Sequence, residues 1–293
     1  MSNHISGEEP TVRESSNPVF RSLPKSQGGY AQFGTGAAGY GTQAVHADPY
    51  VTQYPDQQQA GVARPLTIDD VVTKTGITLA LLTAVAVVTY FLATVNPGIA
   101  MPLAMVGAIG GLVLVLVATF GRKQDNPGIV LSYAALEGLF LGGISYLFAN
   151  VISDGGYAMI TQAIVGTFGV FFGMLVVYKT GAIRVTPKFT RMIVAGLFGV
   201  VALMLVNLVT AMFGLNDGAG LGLRDGGMLA IGFSLLCIGL AAFSFLIDFD
   251  AADQMIRAGA PEKAAWGVAL GLTVTLVWLY IEILRLLSYF NSD

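Results

Sequence analysis

Asp248-Phe249-Asp250-Ala251-Ala252-Asp253 places three carboxylates behind the apolar run Met228–Ile247, and they are the densest cluster of carboxylates in this sequence. On a helix Asp248 and Asp250 lie about 200° apart, whereas Asp250 and Asp253 share a face. Asp253 also reaches Arg257 at the i,i+4 spacing of a solvated ion pair. The run is not a calcium-binding EF-hand loop, since the position-5 ligand, the central glycine and the final glutamate are missing. It reads as a loose acidic vestibule, a candidate ion pathway or pH sensor built on Asp248 and Asp250.

Four ionisable residues fall inside or close to the interior of apolar segments: Glu137, Asp248, Glu282 and Arg285. Charge within a bilayer is costly, so each is a functional candidate by default. Glu137 has no cation on its own segment and must face the bundle interior, water or a neutral hydrogen-bond partner. Glu282 and Arg285 are i,i+3 neighbours and read as an intramembrane ion pair. The alternative has Arg285 reaching outward and leaves Glu282 a lone buried carboxylate.

The elements that position these groups follow from composition. The chain has 293 residues, 54% of them hydrophobic and 11% charged, and a mean hydropathy of +0.69, which excludes an ordinary soluble domain. Seven apolar segments are long enough to cross a bilayer: Gly76–Val95, Ile99–Phe120, Ile129–Val151, Ala158–Tyr178, Met192–Phe213, Met228–Ile247 and Ala264–Leu287. Turn residues separate them, among them Asn96-Pro97-Gly98 and Asp125-Asn126-Pro127-Gly128. The fold class is an all-α membrane protein, a seven-transmembrane-helix bundle over residues 66–293. The segment from Leu66 to Val72 predicts an amphipathic lead-in helix on the membrane surface, with Thr67 and Asp70 at capping-box spacing. Glycine pairs at Gly107/Gly111, Gly138/Gly142, Gly166/Gly169/Gly173, Gly196/Gly199 and Gly267/Gly271 predict close helix packing.

A hairpin turning near Ala260 sets the depth of the acidic run. It puts Asp250 level with Leu270 and Asp248 with Leu272, at about 1.5 Å per residue on both arms. Thr273 and Thr275 then lie within one turn of the carboxylates, while Glu282 lies level with Ile238 and away from them.

Residues 1–65 are rich in Gly, Gln, Tyr and Pro, show no periodicity, and read as a disordered cytoplasmic tail. Asn17-Pro18-Val19-Phe20-Arg21-Ser22-Leu23-Pro24 is its one apolar island, a candidate docking motif. Both histidines, His4 and His46, belong to this tail. The apolar segments therefore offer no histidine for a catalytic dyad or a metal, and Cys237 reads as a small buried hydrophobe. The expectation is no enzyme, no cofactor and no metal centre. A net charge of −3 gives no footing for nucleic acid. Lysines and arginines concentrate beside the first segment and in the second, fourth and sixth loops, whereas the fifth loop has Arg224 and the first and third have none. This bias puts the N-terminus in the cytoplasm and the C-terminus outside, in a multi-pass protein of the cell (plasma or inner) membrane.

Tyr178-Lys179-Thr180-Gly181-Ala182-Ile183-Arg184-Val185-Thr186-Pro187, Phe249-Asp250-Ala251-Ala252-Asp253-Gln254 and Leu279-Tyr280-Ile281-Glu282-Ile283-Leu284-Arg285 together resemble the Bax inhibitor-1/YccA family, in its bacterial members with long N-terminal tails. The resemblance covers residues 66–290 and leaves the tail outside. It implies seven helices with the last one central, and for some members a pH-sensitive calcium leak gated by two aspartates. The first aspartate carries over to Asp250 and the family's late arginine to Arg285. The second aspartate falls on Thr275. Two functions follow as expectations: a leak channel for calcium or another cation lined by Asp248, Asp250 and Glu137, or a regulatory protein that binds a membrane-anchored ATP-dependent protease or another membrane complex.

Overall fold

The computed structural model describes residues 64–152, 156–214, 216 and 220–291. The expectations for residues 1–63, the docking island included, lie outside the described residues. Seven helices follow in order: α1 (Ile68–Val95), α2 (Ala100–Phe120), α3 (Pro127–Leu147), α4 (Gly156–Thr180), α5 (Pro187–Met212), α6 (Met228–Arg257) and α7 (Ala265–Phe290). All seven are long and apolar enough to cross a membrane. Helix starts follow local chemistry: Thr67, Asn126 and Thr186 accept first-turn N–H groups, and Pro127 and Pro187 occupy first-turn positions where no N–H is needed.

The capping box at Thr67 and Asp70 forms as expected. Asp70 Oδ2 accepts from the Thr67 N–H at 3.0 Å, and the Thr67 side chain accepts from the Asp70 N–H at 3.3 Å. It opens α1 itself, however. The expected surface helix does not exist, because the helical hydrogen bonds run unbroken from Ile68 into the apolar segment. In front of the cap, the chain lies antiparallel to the α6–α7 turn. Leu66 N donates to Ala260 O at 2.8 Å and Glu262 N to Arg64 O at 2.9 Å, with Pro65 opposite Pro261. Leu66 is buried there among Val71, Met255, Ile256, Ala264 and Ala265.

α7 is the axis of the bundle. Within its most apolar stretch 61% is buried, against 11% in α4 and in α5, and it packs on α1, α3, α4 and α6. α5 packs on α6 at the periphery. Side chains such as Phe198, Leu205 and Val209 on α5 are exposed, as lipid contact requires.

The glycine pairs divide into two kinds. A Cβ on Gly142 would sit 2.4 Å from Ala86 O, one on Gly138 2.7 Å from Leu82 O, and one on Gly107 2.4 Å from Phe140 N. These glycines set the close approach of α1, α2 and α3. Gly169, Gly173 and Gly199 have no atom within 4 Å of such a Cβ. On α4 and α5 one glycine of each run does meet a neighbour: a Cβ on Gly196 would lie 2.8 Å from Leu240 of α6, and one on Gly166 3.5 Å from Ile283 of α7.

Candidate functional site

The end of the bundle that carries the acidic run also carries the basic loops. Lys74 Nζ donates to Glu262 Oε1 at 3.0 Å, and Arg64 bridges Asp70 at 2.6 Å and Glu262 at 3.5 Å. A Cβ on Gly267 would lie 3.3 Å from Asp125 of the α2–α3 loop. The start of α1, the second loop and the sixth loop thus share one end of the molecule.

α6 remains helical through the acidic run to Arg257, and only then does Gly259, at φ +66°, turn the chain. Continued helix fixes which aspartate faces α7. The buried stripe Ser234, Cys237, Ala241, Phe245 and Ala252 has three- and four-residue spacing, and Asp248 lies on that stripe. Thr275 Oγ1 accordingly donates to Asp248 Oδ2 at 2.8 Å. Thr275 is 8% exposed, and Asp248 is half-buried. Gly271, one turn earlier on α7, leaves room: a Cβ there would lie 3.9 Å from Asp248 Oδ1.

Resemblance assigned the aspartate opposite position 275 to Asp250, and the structure corrects it to Asp248. Two residues along a helix rotate a side chain by about 200°, so Asp250 points away from α7. The depth expectation is also shifted. Asp248 meets Thr275 rather than the level of Leu272, three residues farther along α7 and less than one turn. The turn between the helices is not a point at Ala260 but the stretch from Ala258 through Ala264, which includes a short 3-10 turn.

Asp250 belongs to a separate cluster. Gln254 Nε2 donates to its Oδ2 at 2.6 Å, and the Tyr178 hydroxyl lies 3.4 Å from both Asp250 Oδ1 and Asp253 Oδ2. Asp253 pairs with Arg257 at 2.7 Å, as its spacing predicts. Tyr178 is held in place by aromatic packing between α4 and α6: its ring lies 5.9 Å from Phe249, and Phe171 lies 5.3 Å from Phe245 and 5.5 Å from Phe249. Sequence reasoning gave Tyr178 no role, although it opens the first phrase of the resemblance.

Glu137 stands apart from both clusters. It is 8% exposed, its Oε2 has no hydrogen-bond partner, and its Oε1 would lie 2.6 Å from a Cβ on Gly111 of α2. One turn before it Tyr133 packs with Leu270 of α7, and one turn after it Leu141 packs with Val277. Glu137 therefore sits at about the depth of Thr275, but in the α2–α3 interface. The absent Cβ of Gly111 is the sequence signal for this carboxylate's location.

Glu282 forms the expected pair, with Arg285 Nη1 donating to Oε1 at 2.8 Å, and the lone-carboxylate alternative is set aside. A second cation joins it. Arg224, which the sequence offers only as a loop charge, lies 3.3 Å from the same oxygen. Asp248, Asp250 and Glu137 have no ion-pair partner among the described residues, whereas Asp253 and Glu282 do. No group of three or more metal-ligating side chains converges among the described residues.

Seven helices long and apolar enough to span, the last of them buried among its neighbours, define a multi-pass membrane protein. Residues 17–292 match the family described as Bax inhibitor 1 like, and the chain belongs to that family. The match extends the family relationship into the N-terminal segment, which the resemblance had left outside, and it takes in the apolar island at residues 17–24. No curated protein matches the sequence.

Proposed function

We propose that this protein is a leak pathway for calcium or another cation across the cell membrane, with no catalytic activity, its N-terminus in the cytoplasm and its C-terminus outside. The observation that carries this reading is Asp248: a half-buried carboxylate on the α7-facing stripe of α6, bonded to the neutral hydroxyl of Thr275 and matched by no cation among the described residues. An uncompensated carboxylate at that depth attracts a mobile cation more strongly than the paired Asp253 or Glu282 does. Asp250 beyond it would collect cations at the rim, and Glu137 would hold a second negative site farther in. Flux of calcium into vesicles reconstituted with the purified chain tests the reading. Asp248→Asn should lower flux several-fold and Asp253→Asn should leave it near wild type. Wild-type flux equal to that of empty vesicles would overturn it.

The family match from residue 17 supports a second reading, in which the N-terminal segment engages a membrane-anchored ATP-dependent protease or another membrane complex. Co-purification of such a protease with the full chain, lost on deletion of residues 17–24, distinguishes this role from transport.

A further inference from the structure

An apolar slot of about 200 Å³ runs between α1 and α4, with residues of α3 and α7 at its floor. From Leu79 to Tyr90 it extends about 16 Å along α1 at the helical rise. That length matches one hydrocarbon leaflet, roughly 15 Å or half of the bilayer core. The slot opens sideways. Val87, Ile164 and Phe168 at its edge are 47%, 44% and 39% exposed, whereas Leu82, Leu141 and Val277 at its floor are buried. The neighbouring Val88, Phe91 and Val165 are exposed too, so the mouth is continuous with the apolar surface that meets lipid.

The lining selects an uncharged, apolar occupant. No charged residue belongs to it, and its buried hydroxyls are committed to the protein. Ser145 Oγ donates its single proton to Leu141 O at 2.5 Å, which leaves the Tyr280 hydroxyl as the donor to Ser145 Oγ at 2.8 Å. Thr167 Oγ1 donates to Ala163 O at 2.7 Å. Such walls hold water poorly: an engineered apolar cavity of ~150 Å³ stays dry and takes up apolar guests. Tyr90 closes the end away from the acidic run. Its ring packs 5.9 Å from Tyr146 and 5.6 Å from Tyr157, and its hydroxyl accepts from Asn150 Nδ2 at 3.2 Å. Tyrosines gathered late in a spanning helix mark the level of the lipid headgroups.

We propose that the slot between α1 and α4 seats one acyl chain of a bilayer phospholipid, which enters from the lipid side and leaves its headgroup at the Tyr90–Tyr157 end. A free fatty acid fits worse, because its carboxylate finds no cation among the lining residues.

Photolabelling of the full chain in detergent tests this. The probe is phosphatidylglycerol with a diazirine in one acyl chain, and peptide mass spectrometry locates the adducts. They should concentrate on residues 79–90 of α1 and 160–168 of α4, several-fold above the exposed face of α5 at residues 201–209, and unlabelled phosphatidylglycerol should compete them away. Ala86→Leu, which fills the slot, should lower the slot adducts several-fold, and Leu203→Phe on the exposed face of α5 should leave them unchanged. If Ala86→Leu does not fold, Thr83→Phe at the exposed mouth decides alone. Labelling spread evenly over α1, α4 and α5, or slot adducts undiminished in the deciding variant, would mean that lipid only coats the bundle and would overturn the proposal. Competition by oleate as effective as that by phosphatidylglycerol would overturn the choice of a phospholipid chain.

Discussion

Thr275 Oγ1 donates to Asp248 Oδ2 across the α6–α7 hairpin at 2.8 Å, and this contact ties the buried central helix to the acidic end of its neighbour. Thr275→Val keeps the shape and removes the donor. It should cost about 1.5–3 kcal/mol, the range for a hydrogen bond to a charged group. Because Asp248→Asn removes the same contact from the other side, the double variant should lose less than the sum of the two. Thermal unfolding of the four proteins measures the coupling, and strict additivity would show that the bond contributes nothing.

Glu282 should be the most sensitive carboxylate for stability. Glu282→Gln leaves the half-buried Arg224 and Arg285 without their shared counter-charge, at an expected cost of about 1.5–3 kcal/mol, the range for a hydrogen bond to a charged group. Asp253→Asn breaks a pair whose arginine is 78% exposed and should leave the melting temperature unchanged. Melting curves in detergent compare the two directly.

Gly142→Ala should destabilise the bundle by about 1–3 kcal/mol, because the new methyl meets the backbone oxygen of Ala86. Gly173→Ala meets nothing within 4 Å and should be neutral or slightly stabilising, since alanine favours helix. Equal effects would mean that α4 packs against a partner in the membrane.

Truncation should show a sharp boundary at the strap. Deleting residues 1–63 leaves the pairing of Arg64–Leu66 with the α6–α7 turn intact and should preserve the melting temperature. Extending the deletion through Leu66 removes a buried leucine, worth about 1.5–3 kcal/mol, together with its backbone bonds. A large loss already on deleting residues 1–63 would show that the tail packs on the bundle.

Cysteine labelling tests the proposed orientation. In a Cys237→Ala background, a cysteine at exposed Asn216 should react with an impermeant reagent in intact cells, and one at exposed Lys188 only after permeabilisation. The reverse pattern would invert the topology.

The seven crossings, the cap at Thr67, the Asp253–Arg257 pair and the Glu282–Arg285 pair were legible in the sequence, because each depends on periodicity or on residues within four positions of one another. The facing of Asp248 was also written there, in the stripe Ser234, Cys237, Ala241, Phe245, but reading it required knowing that α6 does not stop at the acidic run. Contacts between helices were not legible. Arg224 is 58 residues from Glu282 and Tyr178 is 72 from Asp250, and no local spacing encodes which loop folds over α7 or which face of α4 meets α6. Glycine spacing likewise named backbone approaches without saying which helices would make them. The local patterns specify helices and their apolar faces; only packing them around α7 decides which charges are compensated and which remain free to act.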